Sequence, residues 1–439
     1  MVPSRVSCCH PACEVYESMK DAFGSAEIRR RVPAAAGRGN VLGMVFLFVA
    51  TAFISPLLTV FLSLLVFTGT PTEKMAVACA FGIGFSAALV AHGIVYNHPV
   101  DMTRWMVECR YYDGRSLLSI GTSLNEDHNG LLVWNLLCWI TGNIGDLRLL
   151  QSLAAFFGYG LIAWLMMDKC ADESTDAWAF LPLMLFIFLA IPTQPLIGNV
   201  RSALGCVICA VAICKRGSYE FKESLPSLIL IIVACLIHSS MLLVLVLFLV
   251  QPVLERNPVR NSIICAAAVA AVISVASLLL ESHVFDGVPI IAGVLEKASF
   301  YTTGTEWDQE QAGNLLSNLS HVLSLLLLGL LVLRIYATKQ HDERIAFGLV
   351  LTSCVIAMEL TLVNVGNRLK YIPILLESTY LLNNRGRGIA INSRWPILAD
   401  FVLILLAIVI WLISMSSFIP SFNYVEVMKT AVFYPLSFL

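Results

Sequence analysis

Arg201 and His238 are the two side chains whose positions most strongly suggest chemistry. Arg201 follows Asn199 at the start of an apolar run, and His238 lies inside a second apolar run, before two serines. A guanidinium at a membrane boundary and an imidazole inside an apolar run both cost free energy, so such residues are usually functional. An anion could bind to the guanidinium and to the first N–H groups of a helix, and the imidazole could act as a general base. The alternatives are an arginine that reaches the lipid interface and a histidine that bonds to a neighbouring helix.

A second group of candidates lies in the polar segment 97–129, between two apolar runs. Four of its residues follow the spacing i, i+3, i+4 and i+7, which places them on one face of a helix that begins after Pro99. Such a face could present a carboxylate, a guanidinium and an indole to a sugar. The alternative is a surface helix with a weak acid–base pair. The four residues are Asp101, Arg104, Trp105 and Glu108.

A third group lies in the short segment 364–371, which again separates two apolar runs. Its two cations and its phenol suit a phosphate or a glycan, whereas the alternative is charge that only sets the membrane topology. Charge counting puts this segment opposite the basic loops, which favours function. Glu359, inside the preceding apolar run, is a further costly charge and a possible counter-ion for Arg368. The candidates in this segment are Asn367, Arg368, Lys370 and Tyr371.

Helices that cross a membrane must position these residues. The chain of 439 residues is 58% hydrophobic and 13% charged, whereas about a quarter of a soluble chain is charged. Several apolar runs reach or approach the roughly 20 residues that a helix needs to cross a bilayer. Because the runs are continuous rather than alternating, they indicate helices and not a barrel. We therefore predict an all-α polytopic membrane protein with about ten to twelve transmembrane or re-entrant helices.

Several of the apolar runs are short or interrupted. His238 divides the run 225–250 into two halves, and Pro56 can bend the run 41–67. Broken and short helices are tolerated in a membrane where they pack inside protein or line a wet cavity. The sequence therefore predicts that some of the crossings are half-helices. The short runs are 130–142, 200–214 and 372–382.

We predict a single integral-membrane domain, residues 41–416, with extramembrane loops at 97–129 and 281–313. A basic extension, residues 1–40, precedes it as a cytosolic or flexible segment, and a C-terminal tail, residues 417–439, follows it. No set of histidines, cysteines and carboxylates has convincing metal spacing, and no phosphate loop or nucleophile elbow is present. We therefore expect no metal, no cofactor and no nucleic acid partner.

In their order along the chain, these motifs resemble those of the EpsG-like family of bacterial exopolysaccharide polymerases of the Wzy type. The resemblance runs from about Phe53 to Trp411 and depends on four ordered motifs rather than on any one of them. The family's usual tyrosine after the first-loop aspartate is Trp105 here. The matching residues are Asp101 and Arg104, then Asn199, Arg201, Leu204 and Gly205, then Leu236 to Leu242, and then Asn367, Arg368 and Tyr371.

The resemblance implies a C-type membrane-glycosyltransferase architecture, in the bacterial cytoplasmic (inner) membrane. Such an enzyme joins oligosaccharide repeat units carried on undecaprenyl diphosphate, in the lipid bilayer and alongside flippase and chain-length regulator proteins. As a hypothesis, Arg201 and Arg368, with Lys370, stabilise the diphosphate leaving group. His238 activates the acceptor hydroxyl, and Asp101 positions it or serves as an alternative base. The expected substrate-binding residues are Arg104, Trp105, Glu108, Asn199, Asn367, Arg368, Lys370 and Tyr371.

Two other functions fit parts of the sequence. A polyprenyl-phosphate-sugar-dependent glycosyltransferase or ligase would share the broken helices. A transporter or flippase of lipid-linked glycans would also use broken helices with polar residues near the membrane centre. Against transport, the sequence contains no inverted repeat, and its polar candidates gather at the ends of apolar runs.

Overall fold

In the computed structural model of the chain, the described residues fold into α-helices and no strand. This confirms the predicted all-α class. The chain divides into two compact units, Met1–Met44 and Val45–Leu439. The first unit is described only over residues 40–44, so the predicted extension 1–40 lies almost entirely outside the described residues, as does the predicted loop 281–313. The structure describes residues 40–97, 101–120, 131–172, 177–191, 199–216, 221–281, 315–337, 343–361, 366, 368–386, 395–418 and 423–435.

Three helical segments are long and apolar enough to cross a membrane, and shorter apolar helices accompany them in the part of the chain that the structure describes. The three are Glu73–His92, Leu149–Ala171 and Leu398–Ser416. This mixture confirms a polytopic membrane protein. The helices are α1 Asn40–Ile54, α2 Pro56–Gly69, α3 Glu73–His92, α4 Asp101–Tyr111, α5 Leu132–Ile144, α6 Leu149–Asp172, α7 Ala177–Ala190, α8 Val200–Cys214, α9 Phe221–Cys235, α10 Met241–Leu249, α11 Gln251–Leu254, α12 Pro258–Glu281, α13 Leu315–Ala337, α14 Glu343–Thr361, α15 Tyr371–Gly386, α16 Trp395–Phe418 and α17 Tyr424–Val432.

The first apolar run bends sharply at Pro56. Helix α1 ends before Ser55, whose hydroxyl accepts a hydrogen bond from the Leu58 N–H at 3.2 Å and so caps α2. The hydroxyls of Thr51 and Thr59 lie 2.9 Å apart, although a straight helix would separate residues eight apart by ~12 Å. Proline cannot continue the helical hydrogen bonds, and the chain therefore bends at the residue that the sequence indicated.

The run 225–250 is broken at His238. Helix α9 ends at Cys235 and α10 begins at Met241, so His238 lies in the non-helical segment between them. The Leu236 carbonyl in this break accepts a hydrogen bond from the Trp134 N–H at 3.3 Å. The break is therefore attached to the first turn of α5, which satisfies one of the backbone groups that it exposes.

Helix α8 is the most buried element near the candidate residues. Every residue from Ser202 to Cys214 is buried, and α8 contacts α6, α9, α10 and α15. A Cβ atom on Gly205 would lie 3.1 Å from the Met241 side chain, so the glycine lets α8 approach the start of α10 closely. Small residues permit such close contacts between membrane helices. Helix α8 can thus carry Arg201, at its beginning, close to the break that contains His238.

Candidate functional site

Arg201 lies against the ring of Trp105 and near that of Trp134, two tryptophans from different helices. The central carbon of its guanidinium lies 3.7 Å from the ring centroid of Trp105 in α4 and 5.8 Å from that of Trp134 in α5. The two indoles pack edge to face, with centroids 5.5 Å apart. Because a cation is attracted to the face of an indole, α4 and α5 together fix the guanidinium at the beginning of α8.

Helix α4 forms where the spacing predicted it, but its four candidate residues do not share one environment. Trp105 is buried on a face with Met102 and Cys109, whereas Asp101 and Arg104 are exposed. Glu108 is half-buried, with one carboxylate oxygen inaccessible. The structure therefore brings Trp105 and Glu108 towards the interior and leaves the other two at the surface.

The close approach of α4 to α5 depends on Gly142. A Cβ atom on Gly142 would overlap the backbone carbonyl of Cys109 in α4. We expect Gly142→Ala to lower the free energy of unfolding by about 1–3 kcal/mol, because a backbone atom cannot rotate away as a side chain can. Its melting temperature in detergent should fall below that of Gly329→Ala, a matched control whose Cβ atom would meet no atom within 4 Å. Equal melting temperatures would contradict this account of the α4–α5 contact.

Within the described residues, the N-cap side chain leaves the first N–H groups of α8 uncapped. Asn199 occupies the N-cap position, but its side chain makes no capping hydrogen bond to the helix. Its carbonyl accepts a hydrogen bond from the Ala203 N–H at 3.1 Å, as in any helix start. The first N–H groups of a helix carry partial positive charge and bind anions when no side chain caps them. The guanidinium of Arg201 and these N–H groups are therefore at the same end of α8.

The His238 ring is oriented by Ser240. The Ser240 N–H donates to Nδ1 of His238 at 3.3 Å, and the Ser240 Oγ lies 2.7 Å from the same nitrogen. A backbone N–H can only donate, so Nδ1 accepts, and the proton of the neutral imidazole is on Nε2. The charges of Arg201 and Arg368 both act on this imidazole. We call Arg201, His238 and Arg368 the cationic site.

Arg368 reaches the cationic site because α8 also positions it. The Cys206 thiol, in α8, donates to the Arg368 carbonyl at 3.2 Å. Lys370 is placed differently: its Nζ donates to the Ser324 Oγ in α13 at 2.8 Å, and its side chain is buried. The predicted grouping of Lys370 with Arg368 is not seen, because residues two apart in a helical turn point in different directions. Asn367 lies outside the described residues.

A second polar cluster surrounds Glu359. The Glu359 carboxylate is buried, with His321 Nδ1 3.6 Å from its Oε1, and its charge acts on Lys370 and Tyr371. Neither carboxylate oxygen has a hydrogen-bond partner among the described residues. We call Glu359, His321, Ser324, Lys370 and Tyr371 the Glu359 cluster. The sequence suggested Glu359 as a counter-ion for Arg368, but the described contacts of its carboxylate are with this cluster.

The sequence analysis missed several residues of both groups. Trp134 in α5 is buried against Trp105, and Asn135 is the next buried residue of α5. The two indole N–H groups and the Asn135 amide have no acceptor among the described residues. Asn135 and His321 are polar residues inside apolar runs, and the cost argument that selected His238 could have selected them too. No sequence signal marks Trp134, because a tryptophan in an apolar run is unremarkable.

The two groups differ in the hydrogen-bonding chemistry that they offer. The cationic site presents two guanidiniums, a helix N-terminus and nearby indole and amide donors, which suits a ligand with many acceptor oxygens, such as a diphosphate. The Glu359 cluster presents a carboxylate, which can only accept. No group of three metal-ligating side chains occurs within the described ranges.

The sequence profile of the EpsG family matches residues 105–426 of the chain. The matched segment is well over half of the chain and contains Arg201, His238, Arg368 and the Glu359 cluster. No curated protein and no solved structure matches the chain significantly. The match confirms the resemblance that the ordered motifs indicated, and the chain therefore belongs to the EpsG family.

Proposed function

We propose that the protein polymerises oligosaccharide repeat units carried on undecaprenyl diphosphate into an exopolysaccharide or capsule. The reaction takes place in the bacterial cytoplasmic membrane, at its outer face, where flippase and chain-length regulator proteins are its expected partners. Membership of the EpsG family supports a polymerase of this kind. The observation that carries the proposal is the position of Arg201 at the N-terminus of α8, against the Trp105 ring, with Arg201 and Arg368 both within electrostatic range of His238.

The bond changes of this reaction explain why two guanidiniums are needed. A hydroxyl oxygen of the acceptor glycan attacks the anomeric carbon of the donor, and the bond from that carbon to the diphosphate oxygen breaks. The hydroxyl proton is released, and the undecaprenyl diphosphate gains one negative charge as it leaves. Preformed positive charge lowers the barrier most where new negative charge develops. Arg201 and Arg368, which bind phosphate oxygens bidentately, provide that charge.

His238 acts at the reacting centre in this proposal. With Nδ1 held by the Ser240 N–H, the Nε2–H group donates a hydrogen bond to an oxygen of the donor diphosphate or of the reacting sugar. The hypothesis from the sequence, that His238 is the general base for the acceptor hydroxyl, requires the ring to accept a proton beside two guanidiniums. Asp101, the alternative base of that hypothesis, is exposed at the beginning of α4.

The remaining candidates provide binding surface for the glycan. Trp105 holds Arg201 with its ring face and offers its indole N–H to a sugar oxygen. Aromatic rings commonly stack on sugars, and carboxylates commonly bind the hydroxyls of a sugar. Glu108 and the exposed Arg104 therefore extend this surface towards the membrane interface. Asn199, Asn367 and Tyr371 complete the proposed substrate-binding set.

The proposal is tested by the glycans of a host strain that lacks the protein. We expect loss of the protein to reduce a long ladder of surface glycan to a single repeat unit that still reaches the outer face. Lipid-linked single units that accumulate only on the inner face would instead identify a flippase. A repeat unit that lacks one sugar would identify a monosaccharide transferase. Either of these two results would overturn the polymerase proposal.

A further inference from the structure

We propose that Glu359 is the general base that takes the proton from the acceptor hydroxyl, and that His321 carries this proton on to water. This role rests on the proposed polymerase function. It adds a general base, which the reaction needs and which the cationic site does not supply. Neither the family match nor the motif set assigns a role to either residue.

The hydrogen-bonding state of Glu359 indicates a ligand with a donor group. The residue is 3% exposed, and both of its carboxylate oxygens lack a hydrogen bond within the described part of the chain. A buried carboxylate without donors costs several kcal/mol unless a partner binds it. A sugar hydroxyl is a donor of the required kind, and the hydroxyl that must lose its proton is one.

Glu359 lies close to the chain segment that carries Arg368. Gly366 packs directly against the Glu359 backbone, since a Cβ atom on Gly366 would overlap it. Two residues later, the Arg368 carbonyl accepts the Cys206 thiol hydrogen bond from α8. Tyr371 lies near both Cys206 and Glu359. The end of α14 at Glu359 therefore lies against the residue two positions before Arg368.

The surroundings of Glu359 suit a proton acceptor better than those of His238. The titratable groups that face the carboxylate are His321 from α13 and Lys370 and Tyr371 from the turn into α15. The Lys370 ammonium, which donates to Ser324, lies within electrostatic range of the carboxylate. Protonation of His238 is less favourable, because a proton on its ring would add a third positive charge to those of Arg201 and Arg368.

The proton transfer follows the bond changes already given. As the hydroxyl oxygen bonds to the anomeric carbon, its proton moves to a Glu359 oxygen, and the electron pair of the broken bond leaves with the diphosphate. The His321 Nδ1, 3.6 Å from Oε1, then takes the proton from the neutral carboxylic acid. A proton then leaves from Nε2 of the His321 ring, whose side chain is 22% exposed, and the carboxylate is regenerated.

The test uses the full chain in liposomes with an undecaprenyl-diphosphate-linked repeat unit, and it measures release of undecaprenyl diphosphate. We expect Glu359→Gln to lower kcat by about 10²–10⁴-fold, as for loss of a general base, with the KM for the donor nearly unchanged. Glu359→Asp should recover part of the rate. Removal of the relay by His321→Asn should lower the rate by about ten-fold, with recovery when free imidazole is added to the buffer.

Glu377→Gln is the matched control. Glu377 is also a buried carboxylate, in α15, but Thr352 Oγ1 binds its Oε1 at 2.6 Å, and it has no role in the mechanism. The control should retain the wild-type rate.

Suppose that the wild type releases undecaprenyl diphosphate and that the release rate of Glu359→Gln stays within about three-fold of the wild-type rate. The assignment of Glu359 is then wrong, while the proposed function stands. A Glu359→Gln protein that fails to bind the donor would also overturn the base role. A wild type that releases no undecaprenyl diphosphate overturns the proposed function itself.

Discussion

Replacing Arg201 with alanine should lower the rate of chain extension by about 10²–10³-fold. This is the effect expected from removing one preorganised group that stabilises developing charge in a transition state. The guanidinium is oriented by Trp105 at 3.7 Å and by Trp134 at 5.8 Å, so almost no reorganisation is needed when the diphosphate gains its charge. The loss should appear mainly in kcat, since the interaction strengthens as the leaving group departs.

Arg201→Lys separates the contribution of charge from that of geometry. Lysine keeps the positive charge but cannot bind two phosphate oxygens in the planar fork of a guanidinium. We expect it to recover only part of the lost rate. Arg260→Ala is the matched control, because Arg260 is an exposed residue at the beginning of α12 and should retain full activity. Wild-type chain extension by Arg201→Ala, measured with lipid-linked repeat units in liposomes, would remove Arg201 from the site.

His238 variants should reveal which chemistry the imidazole performs. If Nε2–H donates a hydrogen bond, as the Ser240 N–H to Nδ1 contact indicates, His238→Ala should lose about 10²-fold in rate. His238→Gln should retain a larger fraction, because its amide can also donate. If His238 is instead the general base, glutamine should be as inactive as alanine, since an amide does not accept a proton at neutral pH.

The control for these variants is His92→Gln. His92 lies at the end of α3, where its Nε2 is 2.7 Å from the Asp146 carboxylate, and it has no part in the cationic site. It should extend chains at the wild-type rate. Full activity in His238→Ala would contradict any direct role for His238. Equal losses in the glutamine and alanine variants would restore the general-base hypothesis and weaken the case for Glu359.

The helices and their breaks could be predicted because they follow from local chemistry. Continuous apolar runs have a single stable backbone conformation in lipid, and α8 has the bounds that its apolar run predicted, Val200–Cys214. Pro56 and the polar residues after His238 interrupt their runs for reasons that the sequence displays. The free-energy cost of a charge in or beside an apolar run likewise identified Arg201 and Glu359 as candidates.

The partners of these residues could not be predicted, because they depend on how helices distant in the sequence pack. Spacing placed Trp105 on one face of α4, but only the fold pairs that face with Trp134 and Arg201. Lys370 stands two residues after Arg368, yet it turns towards Ser324 in α13. Helical periodicity determines which residues share a face, whereas the identity of the neighbouring helix is a property of the whole bundle.

The central claim is that this protein joins lipid-linked repeat units. The most direct measurement is a chain-length analysis of the glycan made by the purified protein in liposomes, supplied only with an undecaprenyl-diphosphate-linked repeat unit. The account predicts a ladder of chains that differ by whole repeat units, with one undecaprenyl diphosphate released for each new bond, and no ladder from Arg201→Ala. Single repeat units that remain unchanged, or that only move between the leaflets, would contradict it.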